Sequence, residues 1–268
     1  MPSPAELPIG VFDSGVGGLT VVRALRQQLP REHILYFGDT ARVPYGIKSP
    51  DTVRQYAAQI TDFLLERRVK LLIIACNTVA AVAAAAVRER ANVPVLDVIE
   101  AGAEAALATT RNNQIGIIGT LTTVNSGAYH QAIKARHAAA QVHSQACPLL
   151  VPLVEEGWLD HRVTLLTAQE YLTPLLATNI DTLVLGCTHY PLLRGLLQSV
   201  VGEHIRLVDS AEITARRTAE RLEADGLLNP GPPPAQLACF VTDVPQRFRF
   251  IGEQFLGEPL NHIELLRW

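Results

Sequence analysis

The sequence predicts an α/β protein: two pseudo-symmetric open sheets of mostly parallel strands, flanked by helices, with the functional site in the cleft between them. Two stretches carry that prediction. Leu71-Leu72-Ile73-Ile74-Ala75-Cys76-Asn77-Thr78 is an apolar run that stops at a thiol, an amide and a hydroxyl, and Thr182-Leu183-Val184-Leu185-Gly186-Cys187-Thr188-His189 repeats the layout. Each run has strand length, is rich in branched aliphatics, and leads into a helical pattern (Val79 to Arg88, and Leu192 to Val201), as buried parallel strands feeding helices do. Both thiols then sit at strand carboxyl ends, the edge at which open α/β sheets bind ligands. A third observation is the spacing. Asp13 precedes Cys76 by 63 positions (76 − 13) and Thr120 precedes Cys187 by 67 (187 − 120), as in an internal duplication.

Taken in order, the chain alternates strand and helix. Leu7 to Phe12 is a short apolar strand ending at Asp13-Ser14-Gly15-Val16-Gly17-Gly18, after which Leu19, Val22, Leu25 and Leu29 recur at helical spacing until Pro30. The glycine corner is not GxGxxG and lacks the P-loop lysine, so it does not argue for a nucleotide. It offers close backbone approach and free N–H groups at a helix start, which suit a small carboxylate. His33 to Phe37 is a second strand, and the loop after it holds Asp39, placed to orient or brace Arg42-Val43-Pro44-Tyr45-Gly46. The helix from Asp51 to Arg67 shows a packing face of Val53, Tyr56, Ile60, Phe63 and Leu64. After the first cysteine strand come a strand at Val93 to Val98, a helix at Ile99 to Thr110 and a strand at Gln114 to Gly119. Beyond the second cysteine strand, Arg206 to Val208 and a helix from Ala211 to Leu227 precede the loop Asn229-Pro230-Gly231-Pro232-Pro233-Pro234. A strand at Leu237 to Val241, a helix at Pro245 to Phe255 and a strand at His262 to Leu266 then complete the first domain. The expected domains are 1–98 plus 210–268, and 99–209.

Composition narrows the function classes. With 268 residues, 48% hydrophobic and 18% charged, the chain can bury substantial cores. A net charge of −3 and no basic tract argue against nucleic acid. Met1 to Pro8 lacks the basic and apolar parts of a secretory signal, and the uncharged run Leu71 to Val87 reads as a strand plus an Ala-rich helix, so a cytoplasmic protein with no membrane partner is expected. Cys76, Cys147, Cys187 and Cys239 form no CxxC pair, so no metal site is suggested and the thiols should stay reduced.

The two matched thiols carry the chemistry. A thiolate is a competent base, and its acidity rises at a helix N-terminus or beside a cation, the setting expected of both Cys76 and Cys187. A base that takes a proton from one face of a carbon, opposite an acid that returns one to the other, is the minimal device for inverting a stereocentre. Pyridoxal phosphate would need a lysine in a polar corner, and Lys48, Lys70 and Lys134 lie outside them. If the second cysteine strand stays extended, His189 points to the same face as Cys187 and can act beside the sulfur.

Four motifs then resemble the aspartate/glutamate racemase family, and within it the enzymes acting on glutamate: Asp13 to Leu19, Gly38 to Gly46, Ala75 to Thr78, and Gly186 to Leu192. Their order and spacing match over nearly the whole chain. The resemblance implies a cofactor-independent 1,1-proton transfer at Cα interconverting L- and D-glutamate, the D isomer serving peptidoglycan synthesis, in a protein that forms homodimers. It implies that Cys76 deprotonates the D isomer and Cys187 the L isomer, that Asp13 assists Cys76, and that Glu155 and His189 assist Cys187, with the adjacent Glu156 the other candidate for Glu155. It also implies a substrate site lined by Asp13, Ser14, Tyr45, Gly46, Asn77, Thr78, Thr188 and His189. Val79-Ala80 departs from the family pattern and is expected to alter the pocket's shape. The alternatives are an aspartate racemase of the same family and, from another class, a thiol hydrolase using Cys187 and His189 without Cys76.

Overall fold

A computed structural model describes residues 2–267. The first half-motif runs β1 (Ile9–Asp13), α1 (Leu19–Gln28), β2 (Ile34–Gly38), α2 (Pro50–Glu66), β3 (Leu71–Ile74), α3 (Asn77–Arg90), β4 (Val95–Asp97) and α4 (Val98–Thr109). The second runs β5 (Gln114–Gly119), α5 (Leu121–Asn125), α6 (Ala128–Arg136), β6 (Gln141–Ala146), α7 (Leu150–Glu155), α8 (Arg162–Leu176), β7 (Thr182–Gly186), α9 (Arg194–Val201) and β8 (Arg206–Val208). The tail adds α10 (Ala211–Ala224), β9 (Leu237–Val241), α11 (Pro245–Leu256) and β10 (Ile263–Leu265).

The strands form two sheets, parallel throughout, in the orders β10-β9-β2-β1-β3-β4 and β6-β5-β7-β8. The segments β2-β1-β3-β4 and β6-β5-β7-β8 have the same order, so the duplication read from the cysteine spacing is present in the topology. In each sheet the chain leaves the first strand of the repeat to one side and returns to its other side. That reversal opens a crevice at the carboxyl ends of β1 and β3, and of β5 and β7. The expected site residues follow these four strands.

Local chemistry explains the element boundaries. β1, β3 and β7 are buried along their whole length, which is why they read as unbroken apolar runs. Pro50 opens α2 behind Ser49, whose hydroxyl accepts from the Thr52 N–H, and the Asp97 carboxylate caps α4 through the Ile99 and Glu100 N–H groups. β9 pairs with β2 and β10 with β9, so the tail does extend the first sheet. α10 packs on both α1 and α4, while α3 meets α5 and α6, and these contacts join the two layered halves. Among the described residues no helix is long and apolar enough to cross a membrane.

The structure departs from the sequence expectation after Cys187, and between Thr120 and Asp181 it supplies α5, α6, β6, α7 and α8, for which the sequence sets no expectation. The segment after Cys187 does not pass straight into an α-helix at Leu192. A 3-10 turn, Tyr190–Leu193, with Pro191 in its first turn, comes first, and α9 starts at Arg194. β6, at the open edge of the second sheet, went unread. Its sequence Gln-Val-His-Ser-Gln-Ala is half exposed and carries no apolar run.

Candidate active site

Both crevices open into one cavity of about 350 Å³, lined on one side by Ser14, Cys76 and Asn77 and on the other by Cys187, Thr188 and His189. That volume is typical of a small-ligand site.

On the first side Cys76 occupies the position before the first residue of α3, with extended backbone, so its sulfur leaves the helix start and enters the cavity. Sγ lies 3.6 Å from Ser14 Oγ. Asp13, at the end of β1 and 1% exposed, accepts from the Gly15 N–H through Oδ2 at 2.9 Å, while its Oδ1 has no hydrogen-bond partner. Burial pushes the Asp13 carboxyl up, opposed by the charge of His189. Burial and the neighbouring Asp13 push the Cys76 thiol up to about 12. This corrects the expectation that a helix start would make Cys76 acidic: desolvation and a carboxylate outweigh a helix N-terminus. Cys76 is held as a thiol, a proton donor.

The second side has the opposite character. The Cys187 Sγ is 3.9 Å from His189 Nδ1, and His189 Nε2 meets Glu155 Oε1 at 3.0 Å. Burial lowers the imidazolium's pKa, but Cys187 and Glu155 together outweigh it and raise His189 to about 10. Glu155 in turn is lowered, its desolvation overcome by the His189 partner. His189 is thus biased toward its protonated form beside the Cys187 sulfur, where the first side instead buries a carboxylate beside Cys76. The geometry is not reached by strand alternation. β7 ends at Gly186, and His189 sits in a turn with helical φ and ψ, which brings the imidazole back to the sulfur two residues earlier. The edge of Phe255 backs the ring at 5.1 Å between centroids. Glu155 is the residue that holds His189, and Glu156 pairs with Arg247 at 3.1 Å instead.

The glycine corner explains how the two sides approach. A Cβ on Gly17 would lie 2.2 Å from Thr188 Oγ1 and 2.7 Å from His189 Nδ1, so only glycine lets the second cysteine corner dock on the first lobe. Asp39 acts as the brace, accepting from Arg42 Nε, the Tyr45 hydroxyl and Thr242 Oγ1. Asp39 thus holds the hydroxyl of Tyr45, which lines the cavity beside Gly46. Thr122 Oγ1 donates to the carbonyls of Gly46 and Lys48 at 3.0 and 3.2 Å, tying that loop to α5.

This constellation, spread over four motifs in order, matches an established pattern. The Asp/Glu/hydantoin racemase family matches residues 9–218. The chain belongs to that family. It is 64% identical over 262 residues to a glutamate racemase of Syntrophus aciditrophicus, covering 98% of this chain and 97% of that one. Its fold is that of the glutamate racemase of Francisella tularensis solved in complex with D-glutamate, with a TM-score of 0.92, 40% identity and 98% of each chain covered. The Thermus thermophilus glutamate racemase solved in complex with β-chloro-D-alanine superimposes with a TM-score of 0.88 at 45% identity, again over 98% of each chain.

For a racemase of this family, nearly all residues expected from sequence reach the cavity. Ser14, Tyr45, Gly46, Cys76, Asn77, Thr78, Glu155, Cys187, Thr188 and His189 all line it, and Asp13 stands directly behind Cys76. Val79 and Ala80 do not: both are buried in the core behind the start of α3. Thr120, which the sequence pairs with Cys187 but does not place in the site, also lines the cavity, its hydroxyl 3.0 Å from that of Thr78. The signal was available, since Thr120 follows β5 as Asp13 ends β1.

Proposed function

We propose that this chain is a cofactor-independent glutamate racemase that interconverts L- and D-glutamate by two-thiol proton transfer at Cα and supplies the D isomer for peptidoglycan synthesis. The observation that carries the reading is the pairing of corners: equivalent positions of two like-ordered sheets place Cys76 beside a carboxylate and Cys187 beside an imidazole around one cavity.

In the L to D direction Cys187, acting as a thiolate beside His189, takes the Cα proton, and the C–H electron pair delocalises into the α-carboxylate as an enediolate. The Cys76 thiol then delivers its proton to the opposite face. One C–H bond breaks and one forms, no atom changes oxidation state, and the enzyme is left as Cys187 thiol and Cys76 thiolate, the form that receives D-glutamate. The carboxylate and its growing charge are held by Asn77, Thr78 and Thr188 with the first-turn N–H groups of α3, a 14-residue helix directed at the cavity. Closure of a lobe made of 1–98 plus 210–268 on a lobe of 99–209 would exclude water from this step. The homodimer and cytoplasmic location that the family resemblance implies belong to the same proposal.

An aspartate racemase is less supported, since the high-identity relative acts under the glutamate name. The Cys187, His189 and Glu155 array also has the form of a hydrolase triad, but a hydrolase has no use for Cys76 and Asp13 on the same cavity. One experiment separates the three. The protein is incubated with L-glutamate, and separately with L-aspartate, in deuterated water, and the run is repeated with Cys76→Ser and Cys187→Ser. Deuterium at Cα and loss of optical rotation with glutamate are expected, and each variant should lose racemisation by about 10² to 10⁴-fold. Retained racemisation in either variant defeats the two-thiol scheme.

A further inference from the structure

We propose that Tyr129 is a positioning residue that fixes the Asn77 amide from across the cleft and so couples the two cysteine corners; this rests on the racemase reading. Tyr129 belongs to α6 in the second half of the chain, is 3% exposed, and donates its hydroxyl to Asn77 Oδ1 at 2.7 Å. Asn77 opens α3 in the first half, adjacent to Cys76, and lines the cavity. The same ring lies under the other corner. A Cβ on Gly186, the residue before Cys187, would come within 3.0 Å of Tyr129 Cε2, and a Cβ on Gly102 within 2.9 Å of its hydroxyl. Two glycines from two elements thus clear the slot that this one side chain fills. Tyr129 touches the neighbour of each cysteine.

The consequence lies in the direction of the amide. Burial, then the charges of Asp97 and Cys187, push the Tyr129 phenol up, so its O–H stays a donor. The phenol oxygen can accept as well as donate, but Asn77 Oδ1 is the acceptor its O–H meets among the described residues, so a reversed amide would leave that buried O–H without one; the hydrogen bond therefore favours Nδ2, with its two donors, toward the cavity. An α-carboxylate, more so an enediolate, requires those donors. The reversed amide would set an oxygen against the negative charge. Without the phenol the two amide orientations differ little in energy, and part of the population would present the wrong end.

The test is a double-mutant cycle of Tyr129→Phe and Asn77→Ala, read as kcat and KM in both directions, with D-glutamate binding measured by calorimetry. Tyr129→Phe removes one oxygen from a buried ring. We expect kcat/KM to fall about tenfold, with KM raised as well as kcat lowered, and no further loss when Tyr129→Phe is added to Asn77→Ala. A merely structural role would lower the melting temperature and the active fraction but leave KM at its original value. Wild-type KM and affinity in Tyr129→Phe, or losses that multiply in full in the double variant, overturn the proposal. Should Tyr129→Phe fail to fold, Gly102→Ala keeps the hydroxyl and crowds it, and it must show the same dependence on Asn77. A chain that binds D-glutamate tenfold more weakly as Tyr129→Phe, yet never racemises as wild type, would sink the racemase reading and keep the positioning one.

Discussion

Replacing Glu155 by Gln tests the electrostatic account of the second corner. Glu155 Oε1 lies 3.0 Å from His189 Nε2, and the carboxylate is 28% exposed, so the pair is neither dry nor fully screened. A hydrogen bond to a charged partner in such a setting is worth about 1.5 to 3 kcal/mol, which corresponds to a fall in the His189 pKa of about one to two. His189 would then drop from about 10 to between about 8 and 9. The sign follows from linkage. His189 is raised above its unfolded value, so its contribution to stability is complete below about pH 6.5 and is lost as pH rises through about 10. In Glu155→Gln the contribution should be smaller and its loss complete at lower pH, by about 8 to 9. The alkaline limb of kcat/KM, which reports His189 as the acid supporting Cys187, should shift down by the same amount, and kcat/KM at neutral pH should fall about 10 to 100-fold. The assays are NMR titration of the His189 ring and pH profiles from pH 6 to about 10.5 in both directions. An unmoved His189 titration with an unmoved alkaline limb would refute the reasoning, because Glu155 would then be bonded to His189 without raising it.

Two other outcomes follow from the same geometry. Gly17→Ala puts a methyl group where Thr188 and His189 now sit, 2.2 and 2.7 Å away, so activity should fall by about 10²-fold with a normal circular dichroism spectrum; near-wild-type rates would mean that the corner is not tightly docked. Lys70 and Glu32, both 2% exposed, form a buried ion pair at 2.5 Å, with Lys70 also donating to the carbonyls of Ala5 and Leu227 and Glu32 accepting from the Asn229 N–H. Lys70→Met leaves that carboxylate uncompensated and should cost about 3 to 5 kcal/mol in urea unfolding with kcat unchanged, and a loss below 1 kcal/mol would show that water reaches the pair.

The residues themselves determined the sheet class, the two cysteine corners and their duplication, because β1, β3 and β7 are buried on both faces and must be written in unbroken aliphatics. The edge strand β6 obeys no such demand and stayed invisible. Motif order was enough to gather Ser14, Tyr45, Asn77, Thr188 and their neighbours as candidates for one site. What the linear sequence could not decide was the surroundings of each thiol. Helix starts and neighbouring residue types suggested two similar acids, whereas the folded chain buries a carboxylate behind Cys76 and sets an imidazole beside Cys187. Nor could it choose Glu155 over Glu156, or show that Tyr129 reaches Asn77, since these depend on which side chains meet across the two halves. Periodicity and burial are local or one-dimensional properties that the order of residues carries. Desolvation and charge act through space, and their sign at a given atom is fixed only when distant segments are brought within a few ångströms.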